Sequence, residues 1–250
     1  MRVASKAIED RARPTASRNA PNHRSFDHLA EEYDFVATLE RSPAFFLQNI
    51  PPQRRRVLDV GCGTGLLAYT LSRHFTSVVA IDISEPMLAI ARAKRPAANI
   101  EYRLEDANHL TLNQKFDAIV SHTAFHHLED VSETLRALKA SLEPRGRLIL
   151  VDNVRRWPVV PRNACAFIAK ACLKFPSDLF HQGHCSAWRI FRFRASRRWL
   201  DHVMSDHILS SARFREIYAA ALPGATFTPM KYFMGVTWQA PSSTEQMIDS

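Results

Sequence analysis

Three glycines at alternate positions, Gly61, Gly63 and Gly65, follow the apolar run Val57-Leu58-Asp59-Val60, and a second apolar run, Val78-Val79-Ala80-Ile81, ends in Asp82. Glycine is used where backbone turns sharply or lets a ligand approach closely. A helix that starts after such a turn offers unpaired N–H groups to a carboxylate or phosphate. An acid closing the next strand stands where it can hydrogen-bond a ribose diol. Such a turn suits a nucleoside whose other end is charged. Counted from Gly61, the dinucleotide pattern Gly-x-Gly-x-x-Gly fails at Leu66; counted from Gly63, it passes in its Gly-or-Ala form at Ala68. The glycines alone therefore leave a redox dinucleotide open. Asp59 weighs against it, because a carboxylate two residues before the first glycine repels a pyrophosphate and suits an ammonium. The ligand reads as a nucleoside joined to a zwitterionic amino acid.

Residues 57–65 are similar to motif I of the class I S-adenosylmethionine-dependent methyltransferases. Four further stretches follow in that family's order: 78–84, Glu105-Asp106-Ala107, 116–122 and 142–150. The resemblance spans residues 26–154, about half the chain. It implies S-adenosylmethionine as cofactor, with Gly61, Cys62, Gly63 and Gly65 around its methionine portion and Asp59 toward the ammonium. It further implies that Asp82 accepts from the ribose hydroxyls with Ile83 beside it, and that Asp106 reads the adenine amino group with Ala107 against the ring. Ser121 would bring backbone near the sulfonium. The implied fold is α/β, a doubly wound, mostly parallel seven-stranded sheet of the Rossmann-like methyltransferase type. It carries a helical insertion or lid before the last helix and a C-terminal antiparallel hairpin.

Ligands bind at the carboxyl ends of strands in such sheets, which brings His122, Phe125, His126 and His127 near the reaction. A neutral histidine can take a hydroxyl proton near pH 7, so His126 is one candidate base. Asp201-His202, at the end of the insertion, makes His202 the other; an amine or acidic hydroxyl needs neither. His126 and His127 also read simply as the packed start of the next helix. His181-Gln182-Gly183-His184-Cys185 lacks a standard four-ligand spacing, so no metal is expected there.

The elements that must position these groups follow from periodicity. Strands are expected over 57–60, 78–82, 100–104, 116–120 and 146–151, with helices over 66–75, 85–95 and 131–142 between them. Earlier helices are expected over 26–34 and from Ser42-Pro43 to before Pro51. Ser84-Glu85-Pro86 is a capped helix start. Val131, Leu135, Leu138 and Leu142 form one buried stripe. After a helix at 211–221, two strands (225–232 and 234–239) close the sheet. Residues 1–25 read as a disordered basic tail, 26–250 as the methyltransferase domain, and 155–205 as its insertion.

The formal net charge of +8 is unevenly placed. The tail 1–24 carries +4, residues 25–154 carry −3, 155–200 carry +9 and 201–250 carry −2. The basic aromatic run Trp188-Arg189-Ile190-Phe191-Arg192-Phe193-Arg194, extended by Arg197-Arg198-Trp199, has three readings. It can be a lid whose aromatics line the pocket, an interfacial helix in peripheral membrane contact, or a nucleic-acid surface. The lid is favoured. Nucleic acid is disfavoured because Ser121-His122-Thr123-Ala124 lacks the Asn/Asp-Pro-Pro-Tyr signature of base-amine methylases. Four cysteines without framework spacing suggest reduced thiols and a cytoplasmic setting. The expected activity is methyl transfer to a small, apolar or aromatic metabolite of the quinone-pathway or natural-product type. Its rivals are an RNA or protein methylase docking through 188–199 and a non-catalytic cofactor-binding regulator. The acceptor, the atom methylated and the oligomeric state are left open.

Overall fold

A computed structural model describes residues 29–155, 163–206 and 208–242. The tail expected over 1–25 lies outside them. Seven strands form one sheet: β1 (Arg56–Val60), β2 (Ser77–Asp82), β3 (Ile100–Leu104), β4 (Phe116–His122), β5 (Leu142–Asn153), β6 (Thr226–Pro229) and β7 (Phe233–Gln239). Their order is β3-β2-β1-β4-β5-β7-β6. The pairs through β5 are parallel, whereas β7 is antiparallel to both β5 and β6. The doubly wound sheet and closing hairpin are those the resemblance implies.

The central strands are apolar because both faces are covered. Along β1 and β4 the side chains alternate between two cores. Leu58, Val60 and Ile119 pack with Leu135 and Leu138 of α5 (Val131–Ala140) and with Phe214 and Tyr218 of α8 (Ser211–Ala221). Val57, Ala118 and Val120 pack on the other side with Phe46, Leu67, Leu71 and Leu88. These come from α2 (Ala44–Asn49), α3 (Leu66–Leu71) and α4 (Glu85–Lys94). Helix starts follow their capping residues: the side chain of Ser84 accepts from Met87 N–H, that of Asp130 from Glu133 N–H and that of Ser210 from Arg213 N–H.

Several boundaries differ from the periodicity. The first helix, α1 (Ala30–Glu40), begins four residues later than expected and runs six further. α3 ends at Leu71, four residues early. Strand β5 starts at Leu142, so that residue leaves the α5 stripe and pairs with Phe116, with an irregularity in register before Ala118.

Between β5 and α8 lie α6 (Ala164–Arg194) and α7 (Arg197–Ser205). α6 is not straight. Along a continuous helix Phe175 and Phe191 would stand about 24 Å apart, yet their ring centroids are 5.7 Å apart. Arg194 likewise reaches back to Asp178. The chain reverses at Gly183, whose φ of 75° favours glycine. The inner arm buries Ile190 and Phe193 against Val36 of the first helix and Leu29 just before it; the arm before Gly183 lies outside it.

Candidate active site

Two neighbouring clefts open at the carboxyl ends of β1, β2 and β4. The larger, about 1060 Å³ measured out to its mouth, is lined among others by Gly61, Gly63, Asp82, Ile83, Asp106, Ala107, His126 and His202. The smaller, about 540 Å³, is lined among others by Asp59, Gly61, Cys62 and Thr64. Arg41, Gly61 and His122 line both. Of the residues expected to hold the cofactor, only Gly65 and Ser121 line neither. A Cβ on Gly65 would come within 2.6 Å of the Tyr102 hydroxyl, so this glycine makes room for the protein itself. The Ser121 hydroxyl is buried and donates to Val60 O at 2.7 Å, tying β4 to β1.

The glycine loop is fixed by backbone. Gly61 and Cys62 N–H groups both donate to Ile81 O at 2.9 Å. Asp82 then joins the two loops: its Oδ2 accepts from Gly63 N–H at 2.7 Å and its Oδ1 from Ser84 N–H at 2.9 Å. Both carboxylate oxygens are thereby held in place at the wall of the larger cleft. Asp106 accepts from the backbone and side-chain N–H groups of Asn108, both at 2.9 Å, which shapes the short 3-10 turn Ala107–His109.

Asp59 is almost fully buried, and its Oδ2 has no hydrogen-bond partner. Burial, reinforced by the neighbouring Asp82 carboxylate, pushes it up to about 7. A buried carboxylate oxygen without a donor is costly, and an ammonium entering the smaller cleft relieves that cost. No neighbouring atom stands within 4 Å of where a Gly63 Cβ would point, so a ligand can approach the backbone there. Both features fit a ligand that ends in an amino acid.

At the other end of the larger cleft the structure brings the two candidate bases together. His126 follows β4 in the 3-10 turn Phe125–His127, and its Nδ1 lies 2.6 Å from Asp152 Oδ1 at the end of β5. Its Nε2 faces Asp206 Oδ2 at 3.9 Å. Burial would lower its proton affinity, but Asp152 and then Asp206 outweigh burial and raise it. His202 Nε2 and His127 Nδ1 each stand 3.8 Å from Asp206 Oδ1. Burial lowers the proton affinity of His202. It pushes His122 down to about 3, with the Arg41 charge acting the same way, which leaves His122 a weak base. Thr123, just past β4, adopts φ 58°, a strained conformation for a branched residue, as functional sites often store.

The larger cleft also uses residues that sequence reading missed. Tyr33 and Arg41 reach it from the first helix and its end, and the Arg41 guanidinium donates to Tyr33 Oη and to Thr123 Oγ1. Asp152 and Asp206 supply the carboxylates around the histidines. Asp152 was discoverable as the acid at the end of a central strand; Arg41 carried no such signal. The acid paired with His202 is Asp206, not Asp201, which is exposed and faces Arg197 at 3.8 Å. The aromatics of 188–199 do not line the cleft. Phe193 and Trp199 pack with α1 residues, and Trp188 stacks on Phe191, because the hairpin at Gly183 turns them away. His126, His127 and Asp206 offer atoms within 4.8 Å of one another, a spacing a metal ion could use, although the sequence suggested none.

Residues 58–150 match the model of a methyltransferase domain family. An uncharacterized methyltransferase of Mycobacterium tuberculosis is 42% identical over 202 residues, covering 77% of this chain and 90% of that protein. The chain is a class I S-adenosylmethionine-dependent methyltransferase. A malonyl-[acyl-carrier protein] O-methyltransferase of Bacillus cereus is 32% identical over 132 residues, 50% of this chain; the chain spans only 49% of that enzyme's length. The solved complex of DhpI with SAH superposes with a TM-score of 0.60 at 19% identity, covering 91% of this chain and 99% of that one, and so shows the shared fold. The cofactor of this methyltransferase is S-adenosylmethionine. Among the described residues no helix is long and apolar enough to cross a membrane.

Proposed function

We propose that this enzyme methylates a hydroxyl of a small, apolar or aromatic molecule, with His126 taking the hydroxyl proton. The observation that carries this reading is the His126–Asp152 pair at the wall of the larger cleft. Asp59 would hold the cofactor's ammonium, Arg41 its carboxylate, Asp82 its ribose, and Asp106 its adenine, with Gly61, Cys62, Gly63, Ile83 and Ala107 shaping the path. When bound, S-adenosylmethionine supplies an electrophilic methyl carbon on a sulfonium. The protein's share is orientation, exclusion of water and removal of one proton.

His126 Nδ1–H donates to Asp152, which fixes the tautomer and leaves the Nε2 lone pair on the cleft side. An acceptor hydroxyl placed there passes its proton to Nε2. The imidazolium that forms stands between Asp152 and Asp206, which stabilise its charge. Phe125 and Leu128, beside His126, give the same cleft apolar wall for the acceptor's body. His202 and Asp206 bring the end of α7 and the residue after it to the wall of the same cleft. Three exposed unpaired thiols, Cys165, Cys172 and Cys185, fit a reducing cytoplasm.

The test is transfer of labelled methyl into fractionated cell extract, with mass spectrometry of the product. The expected product is a methyl ether of a small apolar molecule. His126→Gln should then lower kcat by roughly 100-fold or more while calorimetry shows unchanged cofactor affinity. Normal turnover in that variant, or label found only in RNA or protein, overturns the reading.

A further inference from the structure

The outer arm of α6 presents a second apolar stripe that covers nothing among the described residues. Leu173 and Phe180, two helical turns apart and so on one face, are 83% and 87% exposed. The arm's inward face already holds the buried Ala171 and Asp178 and the half-buried Phe175. Leu179, 43% exposed, neighbours Phe180 near the Gly183 reversal, and Trp188 stands 55% exposed on the returning arm. Large apolar side chains at such exposure, clustered on one supersecondary unit, mark an interaction surface rather than ordinary scatter.

The charge around the stripe chooses its occupant. Residues 155–200 carry ten basic groups and one acid, Asp178. Lys174 and Arg194 pair with Glu40, Arg194 also with Asp178, and Arg189 with Glu32. Lys170, Arg192 and Arg198 form no ion pair among the described residues, and Lys170 sits above the Tyr232 ring instead. A second copy of this chain would bring the same excess positive charge against itself, since a two-fold contact repeats one patch on both sides. An anionic surface meets no such repulsion, and Trp, Phe and Leu interleaved with Lys and Arg suit the headgroup boundary.

We propose that the outer arm of α6 docks this methyltransferase on an anionic lipid bilayer, with Leu173 and Phe180 inserted and the surrounding cations over the headgroups. The inner arm, packed on α1, carries that contact to the wall of the acceptor cleft, so an apolar acceptor can be taken from the bilayer.

The experiment is flotation of the full chain with vesicles of phosphatidylcholine containing 30% phosphatidylglycerol, against vesicles of phosphatidylcholine alone. The parent should float with the anionic vesicles only, and raising salt to about 0.5 M should weaken binding severalfold. Leu173→Ser with Phe180→Ser should reduce bound protein at least tenfold while S-adenosylmethionine affinity by calorimetry and melting temperature stay as in the parent. Three results would overturn the proposal: a parent that floats with neither vesicle, a double variant that floats as well as the parent, or a parent dimer that the double variant dissolves. None of these bears on methyl transfer, which the labelled assay tests by itself.

Discussion

The cofactor half and the acceptor half of the cleft are built by different means. In the cofactor half, one loop and the two strands beside it supply nearly everything, and much of the work is done by backbone: Ile81 O, the Gly63 N–H and the Ser84 N–H hold Asp82 and the loop in place. In the acceptor half, side chains converge from α1, the turn after β4 and the region around α7, with Asp152 of β5 holding His126 from behind. Backbone geometry survives substitution of neighbouring side chains; a constellation of side chains does not. The difference teaches that acceptor choice can change through α7 while the cofactor grip stays.

Substitutions should therefore separate cleanly. His126→Gln should lower kcat by about 100-fold to 10,000-fold with the cofactor Kd within twofold of the parent. Asp82→Ala should do the converse at the binding step. It removes the acceptor of two backbone N–H groups and, in the proposed reading, of the ribose, and charged hydrogen bonds contribute about 1.5–3 kcal/mol each. Calorimetry should show cofactor affinity down by roughly 100-fold. If His126→Gln weakened binding as much as Asp82→Ala, the two halves would not be independent.

Asp152→Asn sharpens the acceptor half. Asp152 positions His126 rather than touching the acceptor, and it is the principal cause of that histidine's raised proton affinity. A base must be neutral to act, so in the parent the rate should rise only as pH climbs above the ordinary histidine range. With Asn at 152 the acid limb of the kcat profile should move to lower pH, and the plateau should fall by about tenfold. A lowered plateau with an unmoved limb would mean that Asp152 only packs.

This contrast also explains what was legible in the chain. Strand alternation, the capped start at Ser84 and the Asp59–Gly61–Asp82 spacing were readable because each is a local pattern with a local cause. Helix ends were less so: α3 stops at Leu71 and the first helix runs on to Glu40, where tertiary packing decides. Asp206 and Arg41 were invisible because what gives each its place is a distant part of the chain: Asp206 faces His126 and His127, and Arg41 reaches Thr123. The lid reading of 188–199 failed for the same reason. Aromatic and basic residues show amphipathy, but only the reversal at Gly183 determines which way each side chain faces.

Within the cofactor half, the glycines are not equivalent. Gly65 has φ 81° and no room for a Cβ beside Tyr102 and Ala91. Gly65→Ala should cost about 1–3 kcal/mol of stability, read as a lowered melting temperature. Once corrected for the unfolded fraction, cofactor affinity should stay within a fewfold of the parent. A large loss of affinity without a loss of stability would make Gly65 a ligand residue after all.

The smallest effect tests Asp59 through pH. Its affinity for a proton is raised to about 7 in the unliganded protein, whereas in an unfolded chain it would be near 4. The folded state therefore holds a proton that the unfolded state releases, and unliganded stability should fall as pH rises from about 4 toward 7. Cofactor binding runs the other way. An ammonium pairs with the carboxylate and not with the neutral acid, so affinity for S-adenosylmethionine should rise on the order of tenfold from pH 6 to pH 8 and then level off. 5′-Methylthioadenosine, which lacks the amino acid, should show no such rise over the same range. Equal pH dependence for the two ligands would place the ammonium elsewhere and remove Asp59 from the cofactor half.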